Sequence, residues 1–264
     1  MWISLVTETD PSPAAVWLRP MESPQAPSAN PAGSEPESSP CVPSRAQAHP
    51  VRIWDLPTRL FHWSLASCVL GALVTGAQGG AALEWHLRFG QMILALLVFR
   101  IVWGVWGGRW SRFTHFQWTP QARQDAGHAF PGSWAVLGLL GLLALQVSTG
   151  LLADDEIATL GPLSALAPAD WVRAATAWHK GWGEIAIWSI IGLHLSAITV
   201  YILRGRSLIE PMVGGDRLRA DPVPPSRDDR KSRLLALAVI LAALATAAWV
   251  FSLGSPGGFG GAGV

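Results

Sequence analysis

Four of the seven histidines in this 264-residue chain, His62, His86, His179 and His194, fall inside long apolar runs. An imidazole there is costly unless it is hydrogen-bonded or bound, so each is a candidate for ligation or proton relay. His179 and His194 share one run, 15 residues apart. On a helix that spacing separates them by about 22 Å along the axis and about 60° around it, so they face broadly one way at two depths. His49, His115 and His128 lie outside the runs and read as solvated or interfacial side chains.

The runs cover 57–76, 86–106, 131–152, 179–203 and 234–252. Each is near the roughly 20 residues that cross a hydrocarbon core of about 30 Å, and this predicts five spanning helices in a lipid bilayer. Composition agrees: half the residues are hydrophobic and 14% are charged, against about 25% charged in soluble domains. The expected fold class is therefore an all-α integral membrane protein. Asp55 reads as the N-cap of the first helix with Pro57 in its first turn, and GAQGG, RWSRF, GPLSALAP and DPVPPSRDD supply the breaks. Residues 1–50 are rich in Pro, Ser and Ala and read as a disordered cytoplasmic tail; their start lacks the basic and apolar regions of a signal peptide, and Met21 is an alternative first residue.

The net charge of +1 leaves no field to attract nucleic acid. Arg and Lys are unevenly placed, however: 14 flank the ends that meet if the N-terminus is cytoplasmic, whereas Arg173 stands alone in the opposite loops. The positive-inside rule then puts the N-terminus on the cytoplasmic side of the membrane and the C-terminus outside. Seven tryptophans near span ends, among them Trp54, Trp85, Trp110 and Trp182, read as an interfacial belt. Cys41 and Cys68 form no CxxC or CxxCH, so a disulfide framework, a cysteine zinc site and covalent haem attachment lack support.

With this topology depth pairs His62 with His194 towards the inside and His86 with His179 towards the outside. Two imidazoles at each level, without carboxylate or thiolate beside them, suit a planar macrocycle with two axial ligands, because zinc or copper wants three or four ligands at one point. Two non-covalent bis-histidine haems follow, with all four histidines on iron. Gly90 and Gly183, each four residues after an outer ligand, read as room for the macrocycle or as close helix packing. Arg59, Arg100, Arg88 and Lys180 are placed to pair with propionates, although Arg88 and Lys180 serve equally well as snorkelling cations. Gln146, Ser148 and Thr149 read as contacts to haem or quinone or as bonds between helices, and Asp154, Asp155 and Glu156 as an acidic loop.

The motifs RIWDLPTRLFHW, HLRFGQMILALLVFRIVWG, HKGWGEIAIWSIIGLHLSAITVY and LIEPMVGG, in this order over residues 51–215, resemble the bacterial cytochrome b561 and nickel-hydrogenase b-type cytochrome family. The resemblance implies a four-helix dihaem bundle at 51–210, with the ligands at His62, His86, His179 and His194. It also implies quinone as substrate and a redox partner on the outer face, a c-type cytochrome or a hydrogenase-like subunit. A basic linker (211–233), a fifth helix (234–252) and a Gly-rich tail (253–264) complete the expected organisation, and a homo-oligomer is compatible with it.

The preferred reading is a quinone-linked electron-transfer oxidoreductase component of a respiratory chain. Two alternatives stand beside it: a superoxide or ferric oxidoreductase acting at the outer haem alone, and a haem-free proton-conducting or assembly subunit whose histidines relay protons.

Overall fold

Among the described residues of the structure, a computed structural model, five helices are long and apolar enough to cross a membrane. They are α1 (Leu56–Gln78), α2 (Leu83–Trp106), α3 (Phe130–Leu152), a 35-residue helix Ala169–Leu203, and α7 (Arg230–Ser252). The 35-residue helix comprises α4 (Ala169–Ala177), a π-helical turn Trp178–Trp182 and α5 (Gly183–Leu203). Strand β1 (His49–Arg52), helix α6 (Ile209–Gly214) and strand β2 (Asp216–Arg219) gather at one end, called here the sheet end. The structure describes residues 48–119, 127–128, 130–155 and 159–254. The expected tail up to residue 47, Cys41 and Arg45 within it, Arg123, Glu156 and residues 255–264 lie outside the described residues.

The fourth span starts at Ala169, ten residues before the apolar run that marks it. Pro168 stands at its N-cap and Asp170 in its first turn, where a carboxylate complements the helix dipole. Asp170 and Arg173 keep this opening polar, so a hydropathy reading cuts it off.

Helix α2 is the hub. In its apolar stretch 44% of residues are buried, against 6% in α1. Helix α1 runs antiparallel along one side after a turn through Gly79 and Gly80, whose φ values of 64° and 53° lie in the left-handed region that glycine enters without strain. Helix α7 covers another side, where Ala236, Ala243 and Ala247 come close to Phe99 and Trp103 of α2. Spacings of seven and four put these alanines on one face, and their small size admits the larger rings. Helix α3 packs on α2 and on α5. The fifth span therefore packs against the hub of its own chain.

The sheet end is tied by polar contacts. Strands β1 and β2 pair antiparallel from His49 with Arg219 to Arg52 with Asp216. Asp55 is fully buried and caps α1 by accepting from Thr58 N at 2.8 Å. It also accepts from Gly108 N at 2.9 Å and from the Trp103 indole at 3.3 Å, which binds the start of α1 to the end of α2. Asp228 accepts from Leu56 N and Arg233 and pairs with Arg52 at 3.2 Å, which fastens α7 to the same corner. Burial pushes the Asp228 carboxyl up, but the hydrogen bonds from Arg233 and Leu56 and the charges of Arg233 and Arg52 outweigh it and hold it below 3.8.

Two of the belt tryptophans have another use. Trp54 and Trp110 are buried in the sheet-end core, and the Trp110 indole donates to Pro224 O at 3.0 Å. Trp85, Trp106, Trp171 and Trp182 are exposed, as an interfacial belt requires.

Candidate functional site

The helices set the four histidines of the apolar runs in two pairs. His62 on α1 and His194 on α5 have ring centres 6.4 Å apart, with planes at 50°. His86 on α2 and His179 in the π turn are 5.9 Å apart, with planes at 83°. The first pair lies towards the sheet end and the second towards the far end. Two ring nitrogens on opposite sides of one metal atom, each about 2 Å from it, place the ring centres about 6 Å apart. Both pairs meet that separation. Among the described residues no three His, Cys, Asp or Glu side chains gather as a metal site, so the donor set suits a cofactor that brings its own equatorial ligands.

Backbone carbonyls orient the far pair. His86 Nδ1 lies 2.8 Å from Ala72 O on α1, and His179 Nδ1 lies 2.9 Å from Gln146 O on α3. A carbonyl only accepts, so in each ring the proton is on Nδ1 and Nε2 keeps its lone pair. This outer bond fixes tautomer and ring direction in histidine metal ligands. The neighbouring helices make room: a Cβ at Gly76 would stand 3.0 Å from the His86 ring and one at Gly150 2.7 Å from the His179 ring. At the sheet-end pair His62 Nδ1 is buried without a hydrogen-bond partner among the described residues, and the ring meets Trp63 edge-on at 5.1 Å.

His179 stands at a break in helix register. Gly183 N donates to Trp178 O, five residues back, and so leaves His179 O without the donor that an α-helix would give it. Gln146 Nε2 supplies one at 2.9 Å. Gly183 is where the Gln146 amide rests, since a Cβ there would collide with Gln146 Oε1. Its lack of a side chain thus serves helix contact with α3. Gly90, by contrast, has nothing among the described residues within 4 Å of its Cβ direction and leaves open space beside His86.

The four expected propionate partners differ in what they already hold. Arg88 is exposed, pairs with Glu84 and stacks 4.8 Å from the Trp85 ring. Lys180 is exposed within the π turn. Arg59 donates to Val213 O at the end of α6, beside the Trp63 indole bond to Met212 O, and its Nε is buried without a partner among the described residues. Arg100 is buried, donates to Ser111 O at 3.1 Å and lies over the Phe113 ring at 4.8 Å. Its contacts belong to the loop after α2.

Near this loop the His128 ring sits between Trp54 at 4.7 Å and Phe116 at 4.8 Å, with its Nδ1 buried, where a solvated or interfacial side chain was expected. Burial, with Arg100 adding to it, pushes its pKa down to about 3, so the ring is neutral at ordinary pH. Thr149, Gly76 and Gly150, which the sequence reading did not assign to the ligands, take part through the helices beside them. The visible signal was the Thr-Gly dipeptide near the far end of both α1 and α3.

Searches among curated proteins and among solved structures found no match. The family profile of prokaryotic cytochrome b561 matches residues 53–215, from the start of the sheet-end core to the glycine that closes α6. That match spans more than half of the chain and contains both histidine pairs, and the chain belongs to the prokaryotic cytochrome b561 family of membrane proteins that transfer electrons through b-type haem.

Proposed function

We propose that the chain holds two b haems, one between His62 and His194 and one between His86 and His179, and passes electrons between the quinone pool and a periplasmic redox partner. The observation that carries this reading is the pair of imidazole separations, 6.4 and 5.9 Å, at two levels of one bundle. Bound haem supplies one-electron redox chemistry at its iron.

The chain's own residues do the rest. Ala72 O and Gln146 O hold the Nδ1 protons of His86 and His179, which turns their Nε2 lone pairs inward. Helices α1 and α5 pack less closely with each other than α1 does with α2, and the facing imidazoles lie in the space between them. Arg59, three residues before His62 and with no partner for its Nε among the described residues, is the propionate partner that the geometry favours at the sheet end. Arg100 would hold a propionate only through donors not given to Ser111. Arg88 and Lys180 are the candidates at the far end. Gly90 leaves space beside the far pair, while Gly183 serves it through Gln146.

The sheet end faces the cytoplasm in this reading, because it gathers the Arg and Lys residues; the family implies quinone exchange, which we assign to the level of His62 and His194. The far end then faces the periplasm, with the 154–155 segment and the opening of α4 beside the partner. Proteoliposomes test the assignment. A membrane-impermeant donor should reduce the His86/His179 haem first, and His194→Ala should abolish exchange with quinol while that reduction persists. Quinol exchange that survives His194→Ala overturns it.

A further inference from the structure

Helices α1 and α3 carry the same small arrangement against the far histidines. On α1, Ala72 O takes the His86 Nδ1 proton at 2.8 Å, and Thr75 Oγ1 donates to Gly71 O at 2.6 Å and reaches the same Ala72 O at 3.3 Å. On α3, Gln146 O takes the His179 Nδ1 proton at 2.9 Å, and Thr149 Oγ1 reaches Leu145 O at 2.9 Å and the same Gln146 O at 3.0 Å. The residue after each threonine is the glycine whose Cβ would meet the imidazole. Position for position the two seats are Ala72-x-x-Thr75-Gly76 and Gln146-x-x-Thr149-Gly150.

Each position has a physical reason. A helical carbonyl has two lone pairs, and the N–H four residues on uses one. The side chain at that fourth residue covers the flank of the carbonyl, so glycine there lets an imidazole edge reach the second lone pair. A hydroxyl bonding back to the third and fourth carbonyls bends a helix slightly and tilts them outward. It also draws on the oxygen that the imidazole uses. The more strongly that oxygen attracts the Nδ1 proton, the more anionic and electron-donating the ring becomes at Nε2. The threonine therefore moderates the ligand it seats. Among the described residues the His62 Nδ1 has no such partner.

We infer that Thr75-Gly76 and Thr149-Gly150 are paired positioning seats that admit the two axial ligands of the far haem and set its reduction potential. The inference rests on the two-haem reading above. The glycines decide whether the imidazoles reach their carbonyls; the threonine hydroxyls decide how much charge those bonds push towards the iron.

Redox titration of the purified holoprotein, followed by optical and electron paramagnetic resonance spectra, tests this. The wild-type protein must first show two low-spin haems; one or none overturns the two-haem reading and the seats with it. Given two, the Thr75→Val/Thr149→Val variant should lower the potential of the far haem alone. The expected change is about tenfold in its ratio of oxidised to reduced haem at fixed ambient potential, about 59 mV for one electron. Thr75→Ser/Thr149→Ser, which keeps both hydroxyls, should restore it. Gly76→Ala and Gly150→Ala should each lose the far low-spin signal and keep the other. Two wild-type haems with the valine variant titrating as wild type, or both haems shifting alike, would overturn the inference. So would a far signal that survives both alanine variants. If the alanine variants do not fold, the threonine series decides.

Discussion

Gln146 holds His179 at both ends: its main-chain oxygen accepts the imidazole Nδ1 proton at 2.9 Å, and its side-chain amide donates to His179 O, also at 2.9 Å. The second bond lies at the π turn, where Gly183 N has shifted to Trp178 O and away from His179 O. A local fault in one helix is thereby closed by the neighbour that aims the ligand. Single-turn π bulges are frequent at functional sites for this reason: they re-aim one side chain while the helix continues.

Replacing Gln146 by Leu removes the side-chain donor to His179 O and should cost about 0.5–1.5 kcal/mol, read as a lower thermal midpoint of the detergent-solubilised protein. Gly183→Ala should do the same by displacing the amide. In the Gln146→Ala background Gly183→Ala should cost less than it does alone, because the collision with Gln146 Oε1 is gone and only the contacts with Trp178 at 2.8 Å remain. Additive losses would show that Gly183 and Gln146 act separately.

Asp55 is the polar hub of the sheet end, with the α1 cap, Gly108 N, the Trp103 indole and the Ser111 hydroxyl converging on one carboxylate. Asp55→Ala removes a cap and strands buried donors, so a loss of about 3 kcal/mol is expected. Asp55→Asn, which can still cap, should lose less. Equal midpoints for wild type and Asp55→Ala would contradict this assignment.

His128 gives the protein an acid sensitivity with a definite sign. Its folded pKa of about 3 lies below the ordinary 6.5, so between these values the unfolded chain binds the extra proton. The His128 contribution is full above pH 6.5 and is lost progressively as the pH falls towards 3. His128→Phe keeps an aromatic ring between Trp54 and Phe116 and removes the titration. Thermal midpoints at pH 7.5 and pH 5 should therefore fall further in wild type than in the variant; parallel falls would rule His128 out.

The spans and the level pairing of the histidines were legible because hydropathy and helical rise depend on local sequence. The Asp55 cap was legible for the same reason, as one side chain acting on its own first turn. The Gln146 clamp was not, because its cause is a register change at Trp178–Trp182 that no residue pattern announces. Gly76 and Gly150 escaped notice since their partners are 10 and 29 residues away, on other helices. Gly183 was read on spacing as room for a macrocycle or as close helix packing, and spacing could not choose between them; its neighbour is a side chain of α3, as in the second reading. Trp54 and Trp110 were misplaced in the belt because the pairing of β1 with β2 builds a small core that hydropathy cannot show.

The pairing itself is best tested by low-temperature optical and electron paramagnetic resonance spectra of the four single variants His62→Ala, His86→Ala, His179→Ala and His194→Ala in purified protein. The account predicts two classes. His62→Ala and His194→Ala should lose, or convert to high spin, one and the same haem, and His86→Ala and His179→Ala the other, with the remaining haem kept in each case. If His62→Ala disturbed the haem lost in His86→Ala, or any single variant removed both haems from protein that still folds, the arrangement of two independent bis-histidine sites would be contradicted.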